Sequence, residues 1–110
     1  MDYTEEEINK YTPMIQAYLN IKKEHVGKLV FYRMGDFYEL FFEDAVIASK
    51  VLNITLTQRA NANGNDIPMA GVPFHSVDTY IQKAVSRGHT VVIVEQFGEV
   101  KPGKIVERKV

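Results

Sequence analysis

Phe37 and Glu39 put an aromatic ring and a carboxylate two residues apart within Gly35-Asp36-Phe37-Tyr38-Glu39-Leu40-Phe41. Side chains alternate between the faces of a β-strand, so Phe37 and Glu39 would share one face while Tyr38 and Leu40 take the other. A ring and an acid would then probe the same target. The preceding Leu29-Val30-Phe31-Tyr32-Arg33 is rich in β-formers, and Met34-Gly35-Asp36 supplies a glycine-containing connection of hairpin length. Phe37 therefore falls beside a hairpin tip. The same spacing also suits a plainer arrangement, with Phe37 a core residue like Phe41 on its face and Glu39 a solvated edge acid.

Other groupings with chemical potential are incomplete. Gly98-Glu99-Val100-Lys101-Pro102-Gly103-Lys104 matches the first part of a phosphate-binding loop and follows a strand-like run. Ile105 stands where the magnesium-holding hydroxyl belongs, and Ile105-Val106 begins a strand where a helix amino-terminus should cradle phosphate. Asp36, Glu39, Glu43 and Asp44 crowd one region, and Glu107-x-Lys109 resembles the tail of a metal-dependent nuclease motif, but the proline-aspartate partner is missing. The chain has no cysteine, and His25, His75 and His89 lack both a ligand spacing and a catalytic partner. No structural metal is expected.

The elements around the pair read as α/β. Thr12 can cap a helix with Pro13 at its first position and Met14, Ile15, Tyr18, Leu19 and Lys22 at helical spacing, ending near His25 to Gly27. Asp44 could cap a second helix with the stripe Ile47, Ala48, Val51 and Leu52, terminated by Asn53. Ile54 to Thr57 alternates like a strand, and Arg59 to Pro68 reads as an exposed loop. Ser76 and Asp78 open a third helix through Tyr80, Ile81, Ala84 and Val85, closed by Gly88. Thr90 to Val94 is continuously apolar, as in a strand covered on both faces, and Ile105 to Val110 forms a last strand. The expected fold is a small mixed β-sheet flanked by about three α-helices.

At 110 residues and 45% hydrophobic content the chain fits one domain with one core of ordinary size. It contains no apolar run of membrane-spanning length and does not open like a secretory signal, which points to a cytoplasmic protein. A net charge of -1 argues against holding nucleic acid by bulk attraction, which rests on neutralising phosphates. Charge is uneven, however: residues 1–50 carry 6 basic and 9 acidic side chains, and residues 51–110 carry 7 and 5. The second half is the better candidate to face phosphates, through Arg59, Lys101, Lys104, Arg108 or Lys109.

Leu29 to Phe41 resembles the opening signature of the MutS family of bacterial DNA mismatch-recognition proteins. The resemblance continues through Asp44-Ala45, Ala48-Ser49, Leu52 to Arg59, Ile67 to His75 and Val106 to Val110, and upstream through Thr12-Pro13-Met14, Gln16 and Tyr18-Leu19. It implies that Phe37 enters the minor groove and stacks on a mispaired or unpaired base while Glu39 hydrogen-bonds that base. Arg59, Met69 and Arg108 would be supporting DNA contacts, and Tyr38 would pack behind the wedge. The implied partner is mismatched or looped double-stranded DNA. The chain would be the amino-terminal fragment of a longer protein, a homodimer whose remaining domains include an ATPase; ATP and magnesium would belong there, and this domain would need no cofactor and catalyse nothing. Two rivals remain: a module that docks a protein through the same hairpin, and a metal-dependent nuclease.

Overall fold

The computed structural model describes residues 2–60, 66–97 and 101–108. Its frame is a six-stranded sheet of β1 (Leu29–Met34), β2 (Phe37–Phe41), β3 (Thr57–Arg59), β4 (Ile67–Pro73), β5 (Val91–Phe97) and β6 (Lys101–Arg108), in the order β3-β4-β2-β1-β5-β6. β1 and β5 run parallel and the other neighbouring pairs are antiparallel. Helices α1 (Glu5–Ile8), α2 (Pro13–Lys22), α3 (Glu43–Val51) and α4 (Val77–Ser86) surround it, with a 3-10 turn at Phe74–Ser76. The expected small mixed sheet with flanking helices is the fold observed.

Pleating sorts the strand residues between two cores. Val30, Tyr32, Phe41, Ile67, Val92 and Val94 pack against Ile8 of α1 and Ile15, Tyr18, Leu19 and Ile21 of α2. On the reverse face, Leu29, Phe31, Tyr38, Leu40, Val72, Val91 and Ile93 pack against α3 and α4 through Ala45, Ala48, Ile81 and Ala84. Val91 to Val94 is thus covered on both sides, as its unbroken apolar run requires.

Asp44 differs from its expected role. The N-cap of α3 is Phe42, whose φ of 57° is left-handed, and Asp44 sits in the first turn with its carboxylate directed into the protein. Oδ1 accepts from Lys22 Nζ at 2.9 Å, and Oδ2 accepts from the Val30 amide at 3.0 Å. The Tyr18 hydroxyl lies 3.3 Å from both Asp44 Oδ2 and the Phe41 carbonyl, so its one proton serves one of them at a time. Lys22 Nζ also donates to the Lys28 carbonyl at 2.5 Å. Burial pushes the Asp44 carboxyl upward, while Lys22, the Val30 amide and Tyr18 pull it back. The carboxylate therefore ties α2, α3 and β1 together.

Other boundaries also shift. Thr12 occupies the N-cap of α2 without a side-chain bond, and that helix closes at Lys22, before the expected His25 to Gly27. The strand expected at Ile54 to Thr57 begins only at Thr57, and the exposed loop expected to reach Pro68 ends earlier, because Ile67 is buried and opens β4. Gly88 does close the turn after α4, with φ of 88°. The phosphate-loop match begins at Gly98, Glu99 and Val100, outside the described residues, and its remainder is strand β6; Lys109 and Val110 also lie outside them.

Removing one partner of a buried, hydrogen-bonded ion pair strands the other. Asp44→Ala is expected to destabilise the protein by about 3 to 5 kcal/mol, measured by chemical denaturation. A loss as small as that of a surface substitution would contradict the anchoring role.

Candidate nucleic-acid interface

β1 and β2 are joined by a two-residue turn, Gly35-Asp36, with Gly35 at φ 61°. Glycine takes this left-handed conformation without a Cβ clash and suits the first central position of a tight hairpin turn. Immediately after it, Phe37 is 47% exposed, whereas Phe41 on the same face is 1% exposed and meets Tyr18 edge-on at 5.0 Å. The two phenylalanines therefore differ in environment: one is core and the other faces solvent. Tyr38, 3% exposed, packs on the reverse face as expected.

Glu39 is half-buried between Tyr32 of β1 and Gly71 of β4, its opposite residues in the two ladders. A Cβ built on Gly71 would lie 3.6 Å from Glu39 Cγ and 3.8 Å from Phe37 Cδ2. Having no side chain there leaves bare backbone beside both the ring and the acid. Glu39 Oε2 is buried and has no hydrogen-bond partner among the described residues. Burial raises the Glu39 pKa, and the positive charge of Arg59 opposes that rise.

Register also decides which other candidates belong here. Arg59 lies opposite Ile67, and Met69 lies opposite both Phe41 and Thr57. Alternation therefore puts Arg59 and Met69 on the face of Phe37 and Glu39, where both are half-buried. Arg108 is not brought to them: it lies opposite Val91, and it lines a groove on the reverse face with Tyr38 and Phe74. Two neighbours escaped the sequence reading. Met34 is the cross-strand partner of Phe37 on one side and Pro73 on the other; a two-residue hairpin connection implies the first, since it makes the flanking residues face each other.

The acids proposed for a nuclease site are divided. Asp36 is exposed in the turn, Glu39 lies on the sheet face and Asp44 is engaged by Lys22. Among the described residues no group of three or more His, Cys, Asp or Glu is arranged to hold a metal ion.

The family model of MutS domain I matches residues 12–110. The chain belongs to the MutS domain I family. Membership in MutS domain I supports a role in DNA recognition during mismatch repair, as a DNA-binding domain. The match takes in every element from α2 onward, including the β1–β2 hairpin and the glycine shelf of β4. Among the described residues no helix is long and apolar enough to cross a membrane.

A carboxyl with a raised pKa in the folded state binds its proton more readily there than when unfolded. Its contribution to stability is therefore greatest at acid pH and is lost as pH rises through the raised value. Glu39→Gln is expected to raise the melting temperature near neutral pH, with the gain shrinking as pH falls through the carboxylate range. A loss that deepens as pH rises would mean that attraction to Arg59 outweighs burial, and a gain that does not vary with pH would mean that the buried charge is not its source.

Proposed function

We propose that this domain reads mispaired or unpaired bases with Phe37 as a minor-groove wedge and Glu39 as the hydrogen-bonding group beside it. The observation that carries the reading is an exposed ring sharing one sheet face with a half-buried acid whose Oε2 has no partner among the described residues, in a member of MutS domain I. An apolar wedge partly unstacks a base step and kinks the duplex, at a cost of a few kcal/mol that is smaller where pairing is already defective. Stacking on the displaced base returns roughly 1 to 3 kcal/mol whatever the base, so a single ring serves many mismatches. Discrimination then comes mainly from the deformability of the duplex.

Glu39 refines that choice. Close to phosphates its charge is repelled, and intact duplex offers no displaced base in compensation. Phosphate charge and further desolvation both add to the upward push that burial already exerts, which favours a protonated acid able to donate to an acceptor on the base. Arg59 on the same face is the phosphate contact and Met69 an apolar groove contact. Arg108, on the reverse face, would meet only DNA backbone passing around the β6 edge. With a net charge of -1, the domain adds little bulk attraction, and affinity depends on the rest of a longer, dimeric protein. ATP and magnesium would be used there, and no cofactor or catalytic step is assigned to this domain.

The competing reading, a hairpin that docks a protein, also uses an exposed Phe37. Competition binding of heteroduplex against homoduplex DNA by the intact protein separates the two. Phe37→Ala is expected to lower the preference for heteroduplex by about fivefold to a hundredfold, the loss of one base–ring stack, with little change in melting temperature. Glu39→Gln is expected to tighten binding to homoduplex. An unaltered preference in Phe37→Ala would favour the docking reading.

A further inference from the structure

The exposed ring sits on a turn fastened from the opposite side of the sheet. Arg33 is the last residue of β1 to face the reverse core, directly across from Tyr38. Its Nε donates to the Gly35 carbonyl at 2.6 Å, spanning the turn. The amide of Phe74 donates to the Asp36 carbonyl at 2.7 Å, so both carbonyls of the turn are held. The guanidinium carbon lies 3.6 Å from the centre of the Phe74 ring and 5.6 Å from that of Tyr38. Arg33 Nη1 is 3.4 Å from Glu95 Oε2, and Glu95 Oε1 accepts from the Tyr38 hydroxyl.

We propose that Arg33 is a positioning residue for mismatch recognition, clamping the Gly35-Asp36 turn so that Phe37 is presented in the geometry needed to enter the base stack. The inference rests on Phe37 being the wedge. The guanidinium is suited to the task because one planar group stacks on Phe74 while its edge donates both to the turn and to Glu95. A lysine ammonium would keep the charge but could not stack in this way. Holding the turn before DNA arrives spares the complex the ordering of a mobile hairpin, which would otherwise be subtracted from the stacking gain. Arg33 itself points away from the face that carries Phe37 and Glu39, so its influence on the base passes through the turn.

The test is a double-mutant cycle in the intact protein, with heteroduplex and homoduplex dissociation constants measured at several salt concentrations for wild type, Arg33→Met, Phe37→Ala and the double variant. Arg33→Met is expected to weaken heteroduplex binding by about tenfold to a hundredfold, the effect of one lost hydrogen bond to a charged donor, with homoduplex binding and salt dependence unchanged. In the Phe37→Ala background it should have no further effect on preference. At saturating protein, a 2-aminopurine beside the mispair should show a smaller fluorescence rise with Arg33→Met than with wild type, a signature that a mere loss of stability would not produce. Phe74→Leu, which removes the stacked ring but keeps the amide bond to Asp36, should shift preference in the same direction and covers the case in which Arg33→Met does not fold.

Equal weakening on both duplexes with a shallower salt dependence would make Arg33 a phosphate contact and overturn the proposal. So would a loss of preference that persists in full without Phe37, or an unchanged preference in both Arg33→Met and Phe74→Leu. Failure of the wedge reading is seen separately, in Phe37→Ala alone keeping its preference, and that result would remove the ground for the clamp as well.

Discussion

A strand hydrogen-bonded along both edges cannot slide without breaking two ladders, and β2 is such a strand, paired to β1 on one side and β4 on the other. A shift of one residue would send Phe37, Glu39 and Phe41 to the reverse face and Tyr38 and Leu40 to this one. Phe41 resists it most directly, because its ring is sealed among Tyr18 and the other residues beneath α2. Tyr38 and Leu40 resist it from behind. The alternation that buries Tyr38 and Leu40 therefore presents Phe37 and Glu39, while α2 covers Phe41 on their own face, and the site inherits its precision from the core.

Two carboxylates show how differently one chemical group is treated within this small fold. Asp44 is buried with an ammonium, a backbone amide and a phenol around it, so its desolvation is answered by charge and hydrogen bonds. Glu39 is only half-buried, yet Oε2 is left without a partner among the described residues and the positive charge that acts on it belongs to Arg59 on β3. The first arrangement organises the fold. The second leaves hydrogen-bonding capacity unused on a half-buried side chain, a weakness for stability and an asset for binding, as expected where function and packing make opposite demands.

The site was legible in the sequence to the extent that it obeys the two-residue period of a strand. Phe37, Glu39 and the hairpin glycine follow from that period and from turn chemistry, and the burial of Tyr38 follows with them. Which phenylalanine stayed exposed did not follow, because Phe37 and Phe41 have identical local patterns and only the seating of α2 separates them. β4 was obscured by Pro68, Gly71 and Pro73, residues that ordinarily argue against a strand; here Pro73 ends the strand and Pro68 lies near its start. Asp44 looked like a cap because caps are recognised by residue type, whereas its partners lie 14 to 26 residues away in the chain. Arg108 carried the right charge, but strand pairing put it on the other face.

Phe42 connects the reading strand to helix α2 in a further way. It follows β2 directly, and its left-handed backbone costs a bulky residue about 1 to 3 kcal/mol unless the surroundings impose it. What imposes it is the ring's seat against Tyr11 and Tyr18, with centroids at 5.5 and 6.4 Å, and the amide's bond to the Pro68 carbonyl at 2.9 Å. The corner thus acts as a latch: with α2 docked, the far end of β2 is held taut, and if α2 lifts away, the latch loses its keeper and the strand that carries the ring and the acid is free to slacken from its inner end.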